Sequence, residues 1–362
     1  MKTAIKIILS NIGLILSLAV LTLLFFTIVA YRPVEEIKLY DITSNNVLNT
    51  NENKPSQMDI LIWNIGYASL DKQSDFVLDG GEMSKARSEK AVIDNIKAIP
   101  KFIKEQNTDI IFLQEVDKDS NRSYNVNQLE HIKINFSEYS IWFATNYKAF
   151  FVPFPFTNPM GKVHSGLATL SKFYTSSSTR YKLPGSYSWP VNTVHLKRCI
   201  NLIRIPSHIE NKDWCLINLH LSAYDSEGEL RKQQLDYLSE LMQRLYNEGN
   251  YVILGGDWNS LFPNIEKNQF APYTTDEKNL EWIERIPEDW TPPGWTWAYD
   301  ESVPTNRSLE KAYVKDENYT TIIDGYLVSP NVEIKEVKGF NLQFEHSDHN
   351  PVYIKVKAKN EP

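Results

Sequence analysis

The sequence predicts an α/β domain in which helices cover β-sheets, preceded by one apolar helix near the N-terminus. From residue 58 onward, short apolar runs typical of buried strands alternate with helix-like segments. Two of the helix-like segments are long and carry apolar side chains on one face, as helices that pack on a sheet do. The stretch 7–30 contains no charged residue. Strands that are apolar on both faces need cover on both sides, which favours layers of sheet and helix.

The N-terminal apolar stretch predicts a membrane anchor over residues 7–31, after a short cytoplasmic segment, residues 1–6. An apolar helix of this length spans the roughly 30 Å hydrocarbon core of a bilayer. A cleaved signal peptide is the alternative, but its apolar region is about 7–15 residues long and ends at a small-x-small site. The segment Thr27-Ile28-Val29-Ala30 matches such a site poorly. Because Lys2 and Lys6 precede the run, the positive-inside rule leaves the N-terminus in the cytoplasm and the rest of the chain outside.

Composition sets limits on the remaining chain. Polar residues after the anchor predict a tether over residues 32–57, and residues 58–362 are long enough for one large domain. The net charge of −7 at pH 7 disfavours duplex DNA as the main substrate, since duplex-binding proteins usually present a basic face, although a local basic patch stays open. Cys199 and Cys215 lie in two successive predicted strands, so both a disulfide and two buried free thiols stay open.

Strands and helices are predicted in chain order from these patterns. The helices cover residues 82–106, with a kink or break expected at Pro100, and residues 227–248. The strands are short runs rich in Ile, Val, Leu and aromatic residues. They cover residues 59–65, 109–116, 139–145, 165–171, 198–205, 214–221, 251–255, 320–328 and 351–356.

Acidic, amide and histidine side chains recur at the ends of these apolar strands. One such residue is usually a strand that reaches solvent, or a turn. Their recurrence in one chain is harder to explain by solvent exposure at strand ends, because polar groups next to a core need hydrogen-bond or ionic partners. Ligand sites of layered α/β folds lie at strand ends. The residues are Asn64, Glu115, His220, Asp257, Asn259 and Asp324, with Asp348 and His349 just before the last strand.

The residue types at these strand ends indicate a chemistry. Carboxylate and amide oxygens suit a hard cation such as Mg²⁺ or Mn²⁺ better than zinc, which prefers more His or Cys. A hard cation neutralises a phosphoryl oxygen, a carboxylate positions water, and a histidine beside an aspartate supplies acid–base chemistry. Together they predict hydrolysis of a phosphoester.

Five short motifs in the predicted domain together resemble those of a known family. They are Trp63-Asn64-Ile65-Gly66, Leu113-Gln114-Glu115-Val116, Gly256-Asp257-Trp258-Asn259-Ser260, Ile323-Asp324-Gly325-Tyr326 and Ser347-Asp348-His349-Asn350-Pro351-Val352. In this order they resemble the endonuclease/exonuclease/phosphatase superfamily, which includes DNase I and the neutral sphingomyelinases. The resemblance covers roughly residues 58–357 and implies a DNase I-like, four-layered α/β sandwich. It also implies a metal site in which Glu115 is the principal ligand and Asn64 and Asp348 complete the set.

The same resemblance implies roles for the remaining strand-end residues. Asp257 and Asn259 orient the attacking water and the phosphate. His349, polarised by Asp324, acts as general base or transition-state stabiliser. His220 falls where DNase-like and sphingomyelinase-like members carry a histidine that contacts the phosphate, so it is a candidate for both catalysis and substrate binding.

Further candidates rest on weaker signals. Arg122, in the segment that follows Glu115, is a candidate substrate contact, although an exposed basic residue is more often a solvated one. The aromatic run 150–156, together with three tryptophans, predicts an apolar lip for a lipid-like substrate, a loop that dips into the nearby bilayer interface, or a loop that packs on its own domain. The tryptophans are Trp290, Trp295 and Trp297, and the other loop candidates for phosphate contact are Lys148, His164, Lys197 and Arg198.

The sequence thus predicts a membrane-anchored, Mg²⁺-dependent phosphodiesterase or phosphatase that acts on a lipid or a small phosphodiester. An extracytoplasmic DNase I-like nuclease is the alternative, and a non-catalytic binding module on the same fold is a third hypothesis. The substrate class, lipid, small molecule or nucleic acid, stays open. No protein partner is inferred.

Overall fold

The fold is a mixed α/β domain preceded by one long apolar helix, as the sequence predicts. The computed structural model describes residues 2–43, 54–223, 225, 228–270, 272 and 283–359. The helices are α1 Lys2–Val29, α2 Glu89–Gln106, α3 Gln128–Asn135 and α4 Glu229–Asn247. The strands are β1 Glu36–Lys38, β2 Gln57–Asn64, β3 Ile110–Asp117, β4 Ser140–Val152, β5 Gly161–Ser171, β6 Ser177–Lys182, β7 Cys199–Pro206, β8 Asp213–His220, β9 Tyr251–Asp257, β10 Thr296–Ala298, β11 Asn306–Arg307, β12 Thr320–Thr321, β13 Asp324–Val328, β14 Val332–Gly339 and β15 Val352–Ala358.

Two large sheets face each other and helices cover their outer sides. One sheet has the strand order β14-β15-β2-β3-β5-β4 and the other β1-β6-β7-β8-β9-β13-β10. Apolar residues of β2 and β3 meet those of β7, β8 and β9 in a core between the sheets. A second core joins α2 to the six-stranded sheet, and a third joins α4 to the seven-stranded sheet. These four layers confirm the predicted sandwich.

The strand directions bring the predicted functional residues to one edge of the sandwich. β2 and β3 run parallel, as do β8 and β9, so their C-terminal ends share an edge. β13 and β15 run antiparallel to β9 and β2, which places the residues that precede or begin them at the same edge. We call this edge, which carries the ends of β2, β3, β8 and β9, the site edge.

Two details of the first long helix differ from the sequence prediction. α2 begins at Glu89 rather than at residue 82, because the side chain of Ser88 accepts a hydrogen bond from the backbone N–H of Ala91 and so caps the helix there. The helix also continues through Pro100 to Gln106, so the predicted break is not seen.

The N-terminal segment is tied to the domain. α1 is the one helix in the described part of the chain that is long and apolar enough to cross a membrane, a property that signal sequences share. Within the predicted tether, Glu36–Lys38 forms β1 and pairs with β6, while residues 44–53 lie outside the described residues. Cys199 and Cys215 are buried free thiols, not a disulfide.

The predicted aromatic lip divides into two parts. Trp295 is buried, and Trp290 and Trp297 pack against Trp258 in the core on the α4 side. These tryptophans therefore do not join the aromatic run 150–156, because they fill the space between α4 and the seven-stranded sheet. The run itself stays largely at the surface.

Candidate active site

His349 is the candidate at the site edge whose two ring nitrogens both have a side-chain partner. Its Nδ1 lies 2.7 Å from Oδ2 of Asp324, the first residue of β13. Its Nε2 lies 3.0 Å from Nδ2 of Asn306. The indole N–H of Trp63 donates to the backbone carbonyl of His349, which fixes the loop before β15 against β2. One imidazole nitrogen is thus held by a carboxylate while the other faces the site, the arrangement that acid–base catalysis needs.

Asp257 joins the two sheets at this edge. It ends β9, and its Oδ2 accepts a hydrogen bond of 2.9 Å from Nδ2 of Asn64, which ends β2 in the opposite sheet. Its Oδ1 accepts from the backbone N–H of Asn259 at 2.9 Å. Nε2 of His220 lies 3.3 Å from Oδ2 of Asp257. Asn259 has a positive φ of 48°, a left-handed conformation that asparagine tolerates better than most residues, and its Nδ2 donates to the backbone carbonyl of Leu221 at 2.9 Å.

Glu115 occupies an irregular position in β3. The pairing with β5 shifts register between Leu113 and Val116, and Glu115 has a positive φ of 58°. This bulge turns Glu115 toward the site edge. It is the one residue of β3 that is partly exposed, but its carboxylate lies among Tyr67, Arg122 and Asp348 and is desolvated there. The Tyr67 hydroxyl donates to its Oε1 at 2.7 Å. A strained backbone that aims a carboxylate into a site is typical of functional positions.

Asp348 lies against a tight turn of the chain. A Cβ on Gly66, whose φ is 52°, would lie 2.6 Å from Oδ1 of Asp348, so only glycine fits there. The Ser347 hydroxyl donates to the backbone carbonyl of Asn64 and accepts from the N–H of His349. These bonds position Asp348 and His349 beside the end of β2.

The electrostatics of the site are those of crowded, buried acids. Burial, and then the neighbouring charge of Asp348, raise the pKa of Glu115 to about 8. Burial and the Asp324 carboxylate raise the pKa of Asp257 to about 6. Burial also raises the pKa values of Asp324 and Asp348. Shifts of this kind, caused by desolvation together with like charges, concentrate at functional sites.

The two histidines respond in opposite directions. Burial alone would lower the pKa of His349, but the carboxylates of Asp324, Asp257 and Asp348 outweigh it and hold that pKa well above the ordinary value. Burial and the positive charges of Arg198 and His349 lower the pKa of His220 well below the ordinary value. His349 is therefore suited to carry a proton, and His220 to act as a neutral hydrogen-bonding group.

A cluster of potential metal ligands lies within the described residues. One oxygen each of Asp257 and Asp324 and one ring nitrogen of His349 all lie within 4.8 Å of one another. This set differs from the one that the resemblance implies, which is Glu115, Asn64 and Asp348. Because Nδ1 of His349 is already bonded to Asp324, we interpret Asp257, Asp324 and His349 as a hydrogen-bonded acid–base group, next to which Glu115 and Asp348 remain available to a cation.

The model of the Endonuclease/Exonuclease/phosphatase family matches residues 62–309. The chain belongs to this family. Its members are phosphoester hydrolases, including nucleases and phosphatases. A search of curated proteins found no match.

Solved structures of this family share the fold of the chain. One from Beutenbergia cavernae, an endonuclease/exonuclease/phosphatase, has a TM-score of 0.57 and 17% identity and covers 85% of this chain and 73% of its own. One from Bacteroides vulgatus has a TM-score of 0.52 and 15% identity and covers 84% of this chain and 100% of its own. TDP2 from Caenorhabditis elegans has a TM-score of 0.51 and 18% identity and covers 86% and 77%.

Arg122 lies inside the domain rather than in an open cleft. It is 4% exposed, and its guanidinium donates two hydrogen bonds to Asp117, at 3.0 and 3.2 Å. Its Cζ lies 3.2 Å from the centre of the Tyr67 ring, and Tyr67 in turn donates to Glu115. This position favours a positioning role behind Glu115 over the direct substrate contact that the sequence suggests.

The weaker basic candidates lie near the site edge in different surroundings. Nε2 of His164 lies 3.1 Å from the Thr145 hydroxyl, within hydrogen-bond distance. Burial, and then the positive charge of Lys148, lower the pKa of His164 to about 4. Lys197 donates to the backbone carbonyl of Asn192. Arg198 lines a pocket with Tyr187, His195 and Ser222, and its charge acts on His220.

Two further residues that the sequence does not predict contact the candidate site. Tyr67 bonds Glu115, and its position directly after the motif Trp63–Gly66 is a signal that was present. Asn306 reaches His349 from β11, a strand of two residues with no apolar pattern, so no local signal marks it.

Proposed function

We propose that this chain is a membrane-anchored, Mg²⁺-dependent phosphodiesterase or phosphatase. The observation that carries the proposal is the group formed by His349, Asp324 and Asp257, with Glu115 and Asp348 beside it at one edge of the sandwich. It supplies a fixed histidine, a carboxylate that orients it, and further carboxylates with raised pKa values. This inventory suits attack of water on a phosphoester.

The residues present fit a divalent cation. Four carboxylates share the site edge, and burial with mutual repulsion raises the pKa of each of them. Uncompensated buried carboxylates are costly, and a cation offsets that cost. Glu115, Asp348 and the amide of Asn64 would hold Mg²⁺ (or Mn²⁺), since all of them offer oxygen. Once bound, the ion supplies Lewis-acid stabilisation of the phosphoryl oxygens.

The other residues have tasks that follow from their contacts. His349, oriented by Asp324, acts as general base or as transition-state stabiliser. Its raised pKa favours the second role, because a protonated imidazole donates a hydrogen bond to a phosphoryl oxygen. Asp257 and Asn259 orient the water and the phosphate. His220, kept neutral by burial, donates a hydrogen bond to a phosphate oxygen.

The N-terminal helix supports membrane attachment. Residues 7–31 would span the bilayer once, with residues 1–6 in the cytoplasm and the catalytic domain, residues 58–362, outside. No side chain of α1 is buried in the domain, as expected for a helix whose apolar surface is covered by lipid.

An extracytoplasmic nuclease is the second candidate. It is favoured by the same catalytic set and by the DNase I-like place of His220. A zebrafish TDP2 of the same fold, with a TM-score of 0.51 and 12% identity, was solved with a single-strand DNA product. The net charge of −7 works against this candidate.

A substrate panel tests the proposal. The full chain in vesicles would be assayed with DNA, RNA, sphingomyelin, phosphatidylinositol phosphates and bis-p-nitrophenyl phosphate, with Mg²⁺ and then with EDTA. We expect hydrolysis of at least one non-nucleic phosphodiester or monoester, abolished by EDTA. Hydrolysis of nucleic acid alone would favour the nuclease, and hydrolysis that persists in EDTA would overturn the metal dependence.

A further inference from the structure

The loops that rise above the site edge are those next to the membrane helix. Because β5 starts beyond the end of β3, with Ser165 opposite Asp117, the β4–β5 connection (residues 153–160) projects from the site edge. The β6–β7 connection (residues 183–198) does the same, since Cys199 pairs with Lys182 and the next residue, Ile200, lies opposite Leu219 at the end of β8.

The chain also enters the domain at this edge. Glu36 lies opposite Tyr181, so β1 begins at the end of the sheet where β6 finishes. Only residues 30–35 separate α1 from β1. The end of α1 is therefore held on the same side of the domain as the candidate active site.

The last turns of α1 contact the end of β4, just before the first of these connections, and the β6–β7 connection itself. The ring of Phe25 meets that of Phe150 edge-on, with centroids 5.4 Å apart. The indole N–H of Trp189 donates to Oγ1 of Thr27 at 3.0 Å. About 20 residues of helix cross the hydrocarbon core, so a span that starts near Ile7 reaches the far interface near Phe25 and Thr27. These contacts consequently place Phe150 and Trp189 at the depth of the lipid headgroups.

Apolar side chains stand exposed around this contact. Phe150 is 62% exposed, Phe154 44%, Phe156 87%, Trp189 57% and Val191 49%. We call these five residues the apolar surface. Exposed aromatic clusters mark interaction sites, and Trp and Phe favour the membrane interface. Exposed Arg32 and Lys148 add positive charge beside them, which suits anionic lipid.

We propose that the bilayer that holds α1 also receives the apolar surface, so that the site edge faces the membrane and the substrate is the phosphoester headgroup of a lipid. This inference rests on the proposed function and narrows its substrate class. A second anchoring contact would restrict rotation of the domain about its short connection. Glu115 and His349 would then be presented to headgroups rather than to bulk solvent.

A fluorescence experiment tests the orientation without reference to catalysis. Single cysteines at Phe156 and at Ile134 would be labelled with an environment-sensitive nitrobenzoxadiazole in the full chain, reconstituted in phosphatidylcholine–phosphatidylglycerol vesicles. Ile134 is a matched control because it is 70% exposed, apolar and lies in α3 at the opposite end of the sandwich, and both native cysteines are fully buried. We expect a blue shift and quenching by spin-labelled lipid at F156C and neither at I134C. Equal, water-like emission from both positions would overturn the orientation.

An activity experiment tests the substrate class. The variant F150S/F154S/F156S and the control I134S would be compared with the parent on two substrates with the same leaving group. One is dioleoylglycerol p-nitrophenyl phosphate in vesicles, and the other is soluble bis-p-nitrophenyl phosphate. We expect the triple variant to lose about tenfold on the vesicle substrate, the change that about 1.4 kcal/mol produces, and to keep the soluble rate. The control should keep both rates.

The outcomes separate this inference from the proposed function. A parent that hydrolyses neither substrate, while the label at residue 156 still enters lipid, would overturn the proposed function and leave the orientation supported. A parent that is active on both substrates, with a triple variant that loses nothing on vesicles, would overturn the lipid-headgroup inference and leave the hydrolase intact.

Discussion

Two acidic residues of β3, two positions apart, are handled by the fold in opposite ways. Asp117 is fully buried and accepts hydrogen bonds from the Arg122 guanidinium and the Ser123 hydroxyl. Glu115 is turned toward the site edge by a bulge and has one side-chain donor, Tyr67, while Asp348 repels it. A buried carboxylate with a complete set of hydrogen-bond donors stabilises the fold. A buried carboxylate without such a set is typical of a residue that binds a ligand or takes part in a reaction.

The largest expected effect of this difference is on activity at Glu115. Replacing Glu115→Gln keeps the shape and removes the charge that a cation requires. We expect turnover of the hydrolysed phosphoester to fall about 10⁴-fold, equivalent to about 5 kcal/mol of transition-state stabilisation. The melting temperature should not fall, because the substitution removes a carboxylate that is destabilised by burial. Steady-state kinetics and thermal melts measure both, and a variant with parental turnover would remove Glu115 from the site.

The next largest expected effect is on activity at His349, which lies at the same site edge. His349→Ala removes the group that Asp324 orients, and a positioned acid–base group contributes about 10²–10⁴-fold. We expect kcat to fall about 10³-fold with binding of Mg²⁺ largely retained. Asp324→Asn serves as a companion, since it keeps the histidine but lowers its pKa by removing the adjacent carboxylate. Its pH–rate profile should therefore shift to lower pH, and an unshifted profile would contradict the pairing.

The third expected effect is on stability at Asp117, the carboxylate whose hydrogen-bond partners are complete. Asp117→Ala leaves the Arg122 guanidinium buried without its carboxylate. Breaking one side of a buried pair costs about 3–5 kcal/mol, so we expect a large drop in the free energy of unfolding, measured by denaturant titration. Turnover of the folded fraction should fall far less than in Glu115→Gln. A variant as stable as the parent would show that the pair does not hold the structure.

The sequence revealed the site better than it revealed the edges of the sheets. Glu115, Asp257 and Asp324 could be named as candidates because each follows an apolar run, a signal that depends only on local sequence. The sequence analysis did not predict the short strands β1, β6, β10 and β11, nor β14, in which only the first and last residues are buried. Such strands, at or next to a sheet edge, are stabilised by hydrogen bonds to a neighbour rather than by their own apolar side chains.

Tertiary contacts explain the rest of what could not be predicted. Arg122 was expected to face substrate, and whether it pairs with Asp117 depends on a turn that no periodicity encodes. Asn306 meets His349 only after β11 has been brought across the edge. The local sequence pattern thus predicts which strands end in polar side chains, whereas tertiary packing determines the hydrogen-bond partners of those side chains.

The smallest expected effect is on stability, and its sign follows from the pKa shifts. The pKa of Glu115 is about 8 and that of Asp257 about 6, against ordinary values of 4.5 and 3.8. Between the ordinary and the raised values the folded protein holds more protons than the unfolded chain, so in EDTA the free energy of unfolding should fall as the pH rises toward 8.

Mg²⁺ competes with those protons, and at ten times its Kd it should add about 1.4 kcal/mol to the free energy of unfolding. Thermal melts at pH 6 and pH 8, with Mg²⁺ or EDTA, should therefore show the larger Mg²⁺ effect at the higher pH. If Mg²⁺ stabilised Glu115→Gln as much as the parent, the cation would bind elsewhere. If the Mg²⁺ effect were lost only in that variant, the cation would be the partner that offsets the cost of burying the Glu115 carboxylate.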